Sequence, residues 1–435
     1  MRRLLEQALV AWKGQKDRKP VLLDGARQVG KSYLIERLFG PSQFARVHRL
    51  DLRETPVLHG LFGESLDPDI LLANIELHLG SDINPASDLL FFDEIGECQR
   101  AVDALKYFAE KRPDIYLCAS GSNIGLLESF PVGKVQILEL FPLSFEEFLM
   151  ASGDERLLEK YREMSRLKIV HEKLWEQLLD YYYVGGMPEA VAGWFVNQSL
   201  SINERTAGIT RIHADLIKGY ERDFGKYGDK INAMDINRVF RDIPLQLSRH
   251  RDDSVKRFYF RDVLEKKTRY QQLKGPIDWL EKSGLTSKCY PVETRPVAPL
   301  KSLIRENIFK LFFFDVGLLA HLLELSYKEQ KDQKMLIKGF IAENFVQNEL
   351  RAAGIYPTYS WAEGQSEIEF LYKTRDGDIL PVEVKSGKRT RSKSLAVYKQ
   401  RYQPERTVKL VGGAGGTNDR DIVWPLYYAA FLIRL

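Results

Sequence analysis

A chain of 435 residues, 44% hydrophobic and 29% charged with a formal net charge of +4, has the composition of a folded globular protein and is long enough for two or three domains. The small net charge excludes a polycation, and no apolar run reaches the roughly 20 residues of a membrane span. Met1-Arg2-Arg3-Leu4-Leu5-Glu6 is basic with no apolar run behind it, so no secretory signal is read. Cys98, Cys118 and Cys289 are scattered, lack metal-ligand spacing, and suit structural thiols in a reducing cytoplasm.

In chain order, a helix over residues 1–14 leads to a strand at Pro20–Asp24. Behind it stands Gly25-Ala26-Arg27-Gln28-Val29-Gly30-Lys31-Ser32, then a helical pattern from Tyr33 to Phe39. This is G-x-x-x-x-G-K-[ST] between strand and helix, the context in which such a loop cradles phosphates with inward-pointing backbone N–H groups. Gly25 and Gly30 permit the tight turn and the close approach of backbone to anion. Lys31 is expected to reach the β- and γ-phosphates of ATP, and Ser32 to place its hydroxyl on Mg²⁺.

A second strand is predicted at Ala45–Leu52. The apolar run after Ser87 ends in Asp93-Glu94, as a Walker B strand does. Asp93 is expected to hold Mg²⁺ through water and Glu94 to polarise the attacking water as general base, a division that suits hydrolysis. The strand Ile115–Ala119 ends in Ser120-Gly121-Ser122-Asn123, where Ser122 or Asn123 could sense the γ-phosphate and Asn123 could orient the water. A strand at Lys134–Leu140 and a helix opened by Ser144 and Glu147, a capping box, complete the region. Strands alternating with helices predict a parallel sheet covered on both faces.

Four stretches, GARQVGKS (25–32), LLFFDE (89–94), SGSN (120–123) and LFPLSFEEFL (140–149), together resemble a large family of bacterial and archaeal AAA-like P-loop ATPases with an uncharacterised C-terminal domain. Gly185-Gly186-Met187-Pro188-Glu189, Asp223-Phe224-Gly225-Lys226-Tyr227 and the run Leu311–Leu319 resemble further signatures of that family. The resemblance implies ATP hydrolysis with Mg²⁺ and a homo-oligomer, ring-like or otherwise. An arginine acting in trans would complete such a site. Arg100 and Arg112 are the candidates after the Walker B strand, while Lys134 stands where relatives often carry an arginine and cannot offer a bidentate fork. The expected fold is α/β, with a P-loop AAA-like parallel-sheet core over 1–150.

Residues 151–234 are then a helical lid region, as the resemblance implies. They include a charged, helix-period stretch from Arg156 to Asp180, which must stop at Gly185-Gly186, and helices at Ile202–Tyr220 and Ala233–Leu247. Residues 235–325 read as a winged helix: helices at Asn237–Ser248, Phe260–Lys267 and Thr268–Lys282, the last interrupted at Gly275-Pro276, and wing strands at Thr286–Glu293 and Asn307–Asp315. Arg249, Arg251, Lys256, Arg257, Arg261, Lys266, Lys267, Arg269 and Lys274, with Tyr259 and Tyr270 among them, suit phosphate contacts in DNA.

The last part, 335–435, reads as a helix from Lys338 to Ala353, strands at Pro357–Trp361, Ser366–Tyr372 and Ile379–Val384, a helix at Ser394–Tyr402, and a strand at Thr407–Val411. This α-β-β-β-α-β order with Glu383-Val384-Lys385 resembles the restriction-endonuclease-like fold, PD-(D/E)xK in motif, shared by nucleases and Holliday junction resolvases. By position, its Mg²⁺-binding and catalytic residues would be Glu343, Glu369, Glu383 and Lys385, with Glu369 standing where the fold usually has Asp. Lys385, Lys388, Arg389, Arg391, Lys393, Lys399, Arg401 and Arg406 form a basic run beside it. The expected partner is DNA, branched DNA being the narrowest substrate the resemblance implies. An ATP-gated nuclease and a nucleotide switch whose winged helix binds protein are the alternatives. No membrane partner is expected.

Overall fold

The structure, a computed structural model, describes residues 1–127, 129–225, 230–249, 257–332, 338–387, 392–418 and 420–435. Lys226, Tyr227, Arg251, Lys256, Lys388, Arg389 and Arg391, all singled out from the sequence, lie outside the described residues. The chain divides into two compact units, Met1–Phe141 with Lys282–Gly284, and Pro142–Glu281 with Leu285–Leu435.

In the first unit, five apolar runs form a wholly parallel sheet: β1 (Val21–Asp24), β2 (Arg46–Asp51), β3 (Asp88–Asp93), β4 (Tyr116–Gly121) and β5 (Gln136–Glu139). The order is β2-β3-β4-β1-β5. Every residue of β3 is buried, as expected of a central parallel strand covered on both faces. Leu22, Leu90, Phe92, Leu117 and Ala119 of the sheet pack with Leu105 and Phe108 of the helix Gln99–Lys111 and with Leu71 and Ile75 of the helix Pro68–Leu79. Because β4 lies between β1 and β3, the end of β4 falls between the loop after β1 and the acids that end β3. The order therefore gathers three distant polar segments at one edge of the sheet, the carboxyl ends of its strands.

The second unit opens with the helix Phe145–Ser152, capped as the sequence indicates: Glu147 N–H donates to Ser144 Oγ and Ser144 N–H to the Glu147 carboxylate. The stretch from Arg156 to Asp180 is two helices, Glu155–Arg162 and Lys168–Val184, because Met164 takes a left-handed φ of 53°. Helices Pro188–Val196, Ile202–Phe224 and Lys230–Arg249 follow. The GGMPE and FFFDVG signatures meet. Asp315 Oδ1 accepts the Leu318 N–H at 2.9 Å, capping the helix Val316–Leu322, and Oδ2 accepts the Gly186 N–H at 2.6 Å.

The winged-helix expectation needs correction in three places. Phe260–Lys267 is not a helix but a run of turns with one isolated bridge, Leu264 to Lys267. Asp262 and Lys266 sit at φ 71° and 60°, which no continuous helix allows, while Phe260 packs on Phe258, Tyr270 and Phe309. The helix Tyr270–Lys282 runs unbroken through Gly275-Pro276. Its buried face of Leu273, Ile277 and Leu280 offsets the missing proline donor. The expected wing strands, β6 (Thr286–Val292) and β7 (Lys310–Phe313), do pair antiparallel, but β6 also pairs in parallel with β8 (Thr358–Glu363). They thus belong to the C-terminal sheet, and the near-complete burial of β6 explains why it is not a free wing.

That sheet continues through β9 (Ser366–Lys373), β10 (Ile379–Lys385), β11 (Thr407–Val411), β12 (Gly416–Thr417) and β13 (Asp421–Pro425), in the order β12-β13-β11-β10-β9-β8-β6-β7. The helices Lys338–Ala352 and Lys393–Tyr402 complete the α-β-β-β-α-β order read from the sequence. The apolar tail from Leu426 to Arg434 is a 3-10 helix. Among the described residues no helix is long and apolar enough to cross a membrane. Cys98, Cys118 and Cys289 are buried free thiols.

One core carboxyl makes this unit sensitive to pH. Glu349 Oε1 accepts the Phe145 N–H at 2.9 Å, its Oε2 is buried with no hydrogen-bond partner among the described residues, and burial, with Glu147 and Glu146 nearby, pushes its pKa up to about 8. A carboxyl raised on folding favours the fold fully below its unfolded value of 4.5, and that contribution is lost as pH rises through about 8. Glu349→Gln keeps the carbonyl acceptor and cannot ionise. Its melting temperature is expected to match wild type near pH 4.5 and to exceed it by a widening margin towards pH 8, as the stability difference grows by at most about 1.4 kcal/mol per pH unit. Parallel curves for the two proteins across that range would show that Glu349 does not titrate on folding.

Candidate functional site

The loop after β1 is set by close backbone packing. The Gly25 N–H donates to Asp24 Oδ1 at 2.8 Å, and a Cβ on Gly25 would stand 2.2 Å from the Leu140 carbonyl oxygen. Gln28 and Gly30 take φ values of 64° and 94°, turning the chain into the helix that begins at Lys31. That helix is wound as a π-helix over Leu34–Phe39 before it ends at Gln43. The buried Lys31 donates from Nζ to Gly25 O at 2.8 Å and Ala26 O at 2.9 Å, so its ammonium lies inside the loop. Burial lowers its pKa, against the pull of Glu94, Asp24 and Asp93. Arg3, outside the motif, also ties the loop: its two terminal nitrogens donate to Val29 O and Phe141 O, each at 2.7 Å.

Loop and acids meet. Ser32 Oγ donates to Asp93 Oδ1 at 2.8 Å, and Ser120 Oγ from the end of β4 reaches the same oxygen. Asp93 is only 1% exposed. Glu94 follows in the left-handed region at φ 51°, with Ser122 Oγ at 3.5 Å from its Oε2. Asn123 is buried beside Ser122 at φ 67°, and the hydroxyl that approaches Glu94 is that of Ser122. Six groups named from the sequence, Lys31, Ser32, Asp93, Glu94, Ser122 and Asn123, therefore share one edge of the sheet with the loop Gly25–Gly30.

Arg49 was not legible as a site residue. Its Nε and a terminal nitrogen lie 3.0 Å and 2.7 Å from Asp93 Oδ2, and that terminal nitrogen also reaches Asp51 Oδ2 at 2.6 Å. Partial burial opposes its charge, but Asp93, Asp51 and Glu36 outweigh that and raise its pKa. The available signal was the spacing of Arg49 and Asp51 at i, i+2 on a strand beside β3, which puts both on one face. The trans-acting candidates are engaged within the unit: Arg100 Nε donates to Phe62 O, Arg112 binds Asp114 and Asp69, and Lys134 pairs with Glu110 at 2.8 Å.

The donor set fits a nucleoside triphosphate with Mg²⁺. A hydroxyl and a buried carboxylate are hard oxygen ligands, and a lysine inside a glycine-gated loop suits phosphate.

A second cluster lies on the eight-stranded sheet. Lys385 Nζ is 3.2 Å from Glu383 Oε1 and 3.7 Å from Glu369 Oε1. Glu383 is fully buried, and among the described residues neither of its carboxylate oxygens has an aligned hydrogen bond. The Val384 N–H donates to Glu369 Oε2 at 3.0 Å, and burial raises the Glu369 pKa despite Lys385. Glu343 is joined instead to Lys310 of β7 at 3.6 Å, and Lys310 also contacts Glu367. Burial penalises the Lys310 ammonium, yet Glu367 and Glu343 outweigh it and raise its pKa. The four residues named from the sequence are thus brought into one cluster, together with Lys310 and Glu367, which were missed. Two ammonium groups lie against the carboxylates, and among the described residues no group of three or more His, Cys, Asp or Glu side chains is placed to hold a metal ion.

The nitrogenous rim is partly neutralised. Arg257 pairs with Glu293, Lys267 with Asp235, Lys274 with Asp278, Lys399 with Asp421 and Arg401 with Glu363.

A parallel-sheet unit with this loop and these acids is consistent with an AAA-like fold, and residues 17–149 match the family model described as AAA domain. Residues 175–329 match a Domain of unknown function (DUF8612), and residues 338–429 match another (DUF4143). The eight-stranded sheet crosses the boundary between those two segments, since β6 and β7 lie in the first and β8 to β13 in the second. No curated protein matches the chain.

Proposed function

We propose that this chain binds ATP with Mg²⁺ at the Gly25–Ser32 loop and hydrolyses it. The observation that carries this reading is the 2.8 Å hydrogen bond from Ser32 to the buried Asp93, which joins the phosphate loop to the acid strand. When bound, Mg²⁺·ATP supplies an anhydride whose terminal phosphoryl group goes to water, with the metal offsetting charge. Ser32 and Asp93 would hold the metal, Asp93 through water. Backbone N–H groups of the loop bind phosphate oxygens, and Lys31 sets its ammonium among them. Glu94 takes a proton from the attacking water, with Ser122 or Asn123 orienting it.

The work of hydrolysis is proposed to act on DNA, branched DNA being the most specific substrate. The α-β-β-β-α-β order and exposed basic residues, among them Arg261, Arg269 and Lys393, support this. Homo-oligomeric assembly with a cation supplied in trans belongs to the same reading. Cleavage lies outside it, because Lys310 sits on Glu343, one of the acids that would hold a metal.

The test is the ATPase rate with and without duplex, single-stranded and four-way-junction DNA, with Lys31→Ala as blank. Junction DNA is expected to stimulate turnover at least about tenfold, below the roughly 10³- to 10⁵-fold that a supplied cation reaches in such sites. Stimulation should fall steeply with salt. Turnover in the wild type with no response to any DNA would move the reading to a nucleotide switch that binds protein. Nicked product would restore the nuclease.

A further inference from the structure

We propose that Arg49 is a positioning residue of the nucleotide site: its guanidinium holds one oxygen of Asp93 so that the other is presented to Ser32. The inference rests on the reading of the loop as an ATP site and concerns a residue outside its motifs.

The register places it. In the parallel pair β2–β3, Arg49 lies opposite Phe91 and Asp51 opposite Asp93. Side chains alternate along a strand, so Arg49, Asp51, Phe91 and Asp93 share a face. The two oxygens of Asp93 then have separate partners. Oδ1 accepts from Ser32 of the loop, from Ser120 at the end of β4 and from the Glu94 N–H. Oδ2 accepts only from Arg49 among the described bonds, at 3.0 Å and 2.7 Å. Arg49 is itself braced by Asp51, whose Oδ1 accepts the N–H groups of Arg53 and Glu54 at 3.0 Å and 2.8 Å.

The consequence is both orientation and charge. A carboxylate with one oxygen held in a guanidinium fork cannot rotate to offer both oxygens to a cation. It presents one, which suits attachment through water or a single bond. The fork also sets a cation against a buried carboxylate, a charge-assisted contact that favours one geometry. Groups that orient a ligand in this way typically change metal affinity or activity 10- to 100-fold, about the scale expected here.

The experiment is binding of a fluorescent ATP analogue to the full chain, titrated with Mg²⁺ and repeated in EDTA, alongside melting temperature and turnover. Arg49→Ala is expected to raise the Mg²⁺ concentration for half-saturation about tenfold or more and to lower kcat by about 10- to 100-fold. Nucleotide affinity in EDTA should stay that of wild type. Arg49→Lys keeps the charge but cannot form the fork, so its Mg²⁺ requirement should fall between the two. It also serves if Arg49→Ala does not fold. A structural role alone would weaken binding equally with and without Mg²⁺, and that result overturns the proposal. So does an unchanged Mg²⁺ requirement in both variants, or a lowered one, which would make Arg49 a competitor of the metal. Wild type that binds no nucleotide overturns the ATP reading and this proposal with it. Wild type that binds with a Mg²⁺ dependence matched by both variants overturns only the role of Arg49.

Discussion

Glu94→Gln is expected to bind ATP as wild type does and to lose turnover by about 10²- to 10⁴-fold, the usual contribution of a positioned general base. The substitution changes one atom and no bulk. Ser122 Oγ, 3.5 Å from Oε2, can still approach an amide, and the backbone at φ 51° is held by the Glu94 N–H on Asp93 Oδ1 at 3.2 Å. The lost property is basicity. Lys31→Ala should behave differently, because its ammonium lies within the loop itself. It should weaken binding as well as turnover. The comparison needs a dissociation constant and a phosphate-release rate for each variant. Wild-type turnover in Glu94→Gln would place the base elsewhere, at the β4 end or on the substrate.

Gly185→Ala is expected to destabilise the second unit by more than about 3 kcal/mol, a loss that only a few mechanisms produce. Gly185 ends the helix Lys168–Val184 at φ 73° and ψ −168°, a region essentially closed to side chains. A Cβ there would fall 2.2 Å from Asp315 Oδ1. Backbone strain contributes about 1–3 kcal/mol. Displacing Asp315 would leave the Gly186 and Leu318 N–H groups unpaired in the core, at about 1–3 kcal/mol each. Asp315 is fully buried, and that burial pushes its pKa up to about 6. Set against a total stability of about 5–15 kcal/mol for a domain, the variant should melt far below wild type or fail to accumulate in soluble form. Asp315→Asn retains an acceptor and should be milder. Calorimetry of both variants decides the matter: a wild-type melting temperature for Gly185→Ala would mean that the two signatures do not lock each other.

The phosphate loop was readable because its eight residues are consecutive and four of them need a particular chemistry: two glycines for backbone approach, a lysine, a hydroxyl. Asp93 and Glu94 were readable for the same reason, at the end of an apolar run that only a buried strand explains. The capping box at Ser144 and Glu147 spans four residues and formed as read. The C-terminal strand and helix order was equally visible, because alternation, turn residues and helix length are local signals.

What escaped depends on residues far apart. Arg49 reaches Asp93 across 44 positions, and Lys310 reaches Glu343 from a strand that looked like a wing. Phe260–Lys267, rich in Leu, Glu, Lys and Arg, has helical propensity, yet packing of Phe260 on Tyr270 and Phe309 prevailed over it. The sequence by itself determined the chemistry of the loop and the acids that face it. Only the tertiary structure decided which charges brace those acids and which strands share a sheet. Strand pairing depends on register, and a slip of one residue would turn Arg49 away from Asp93.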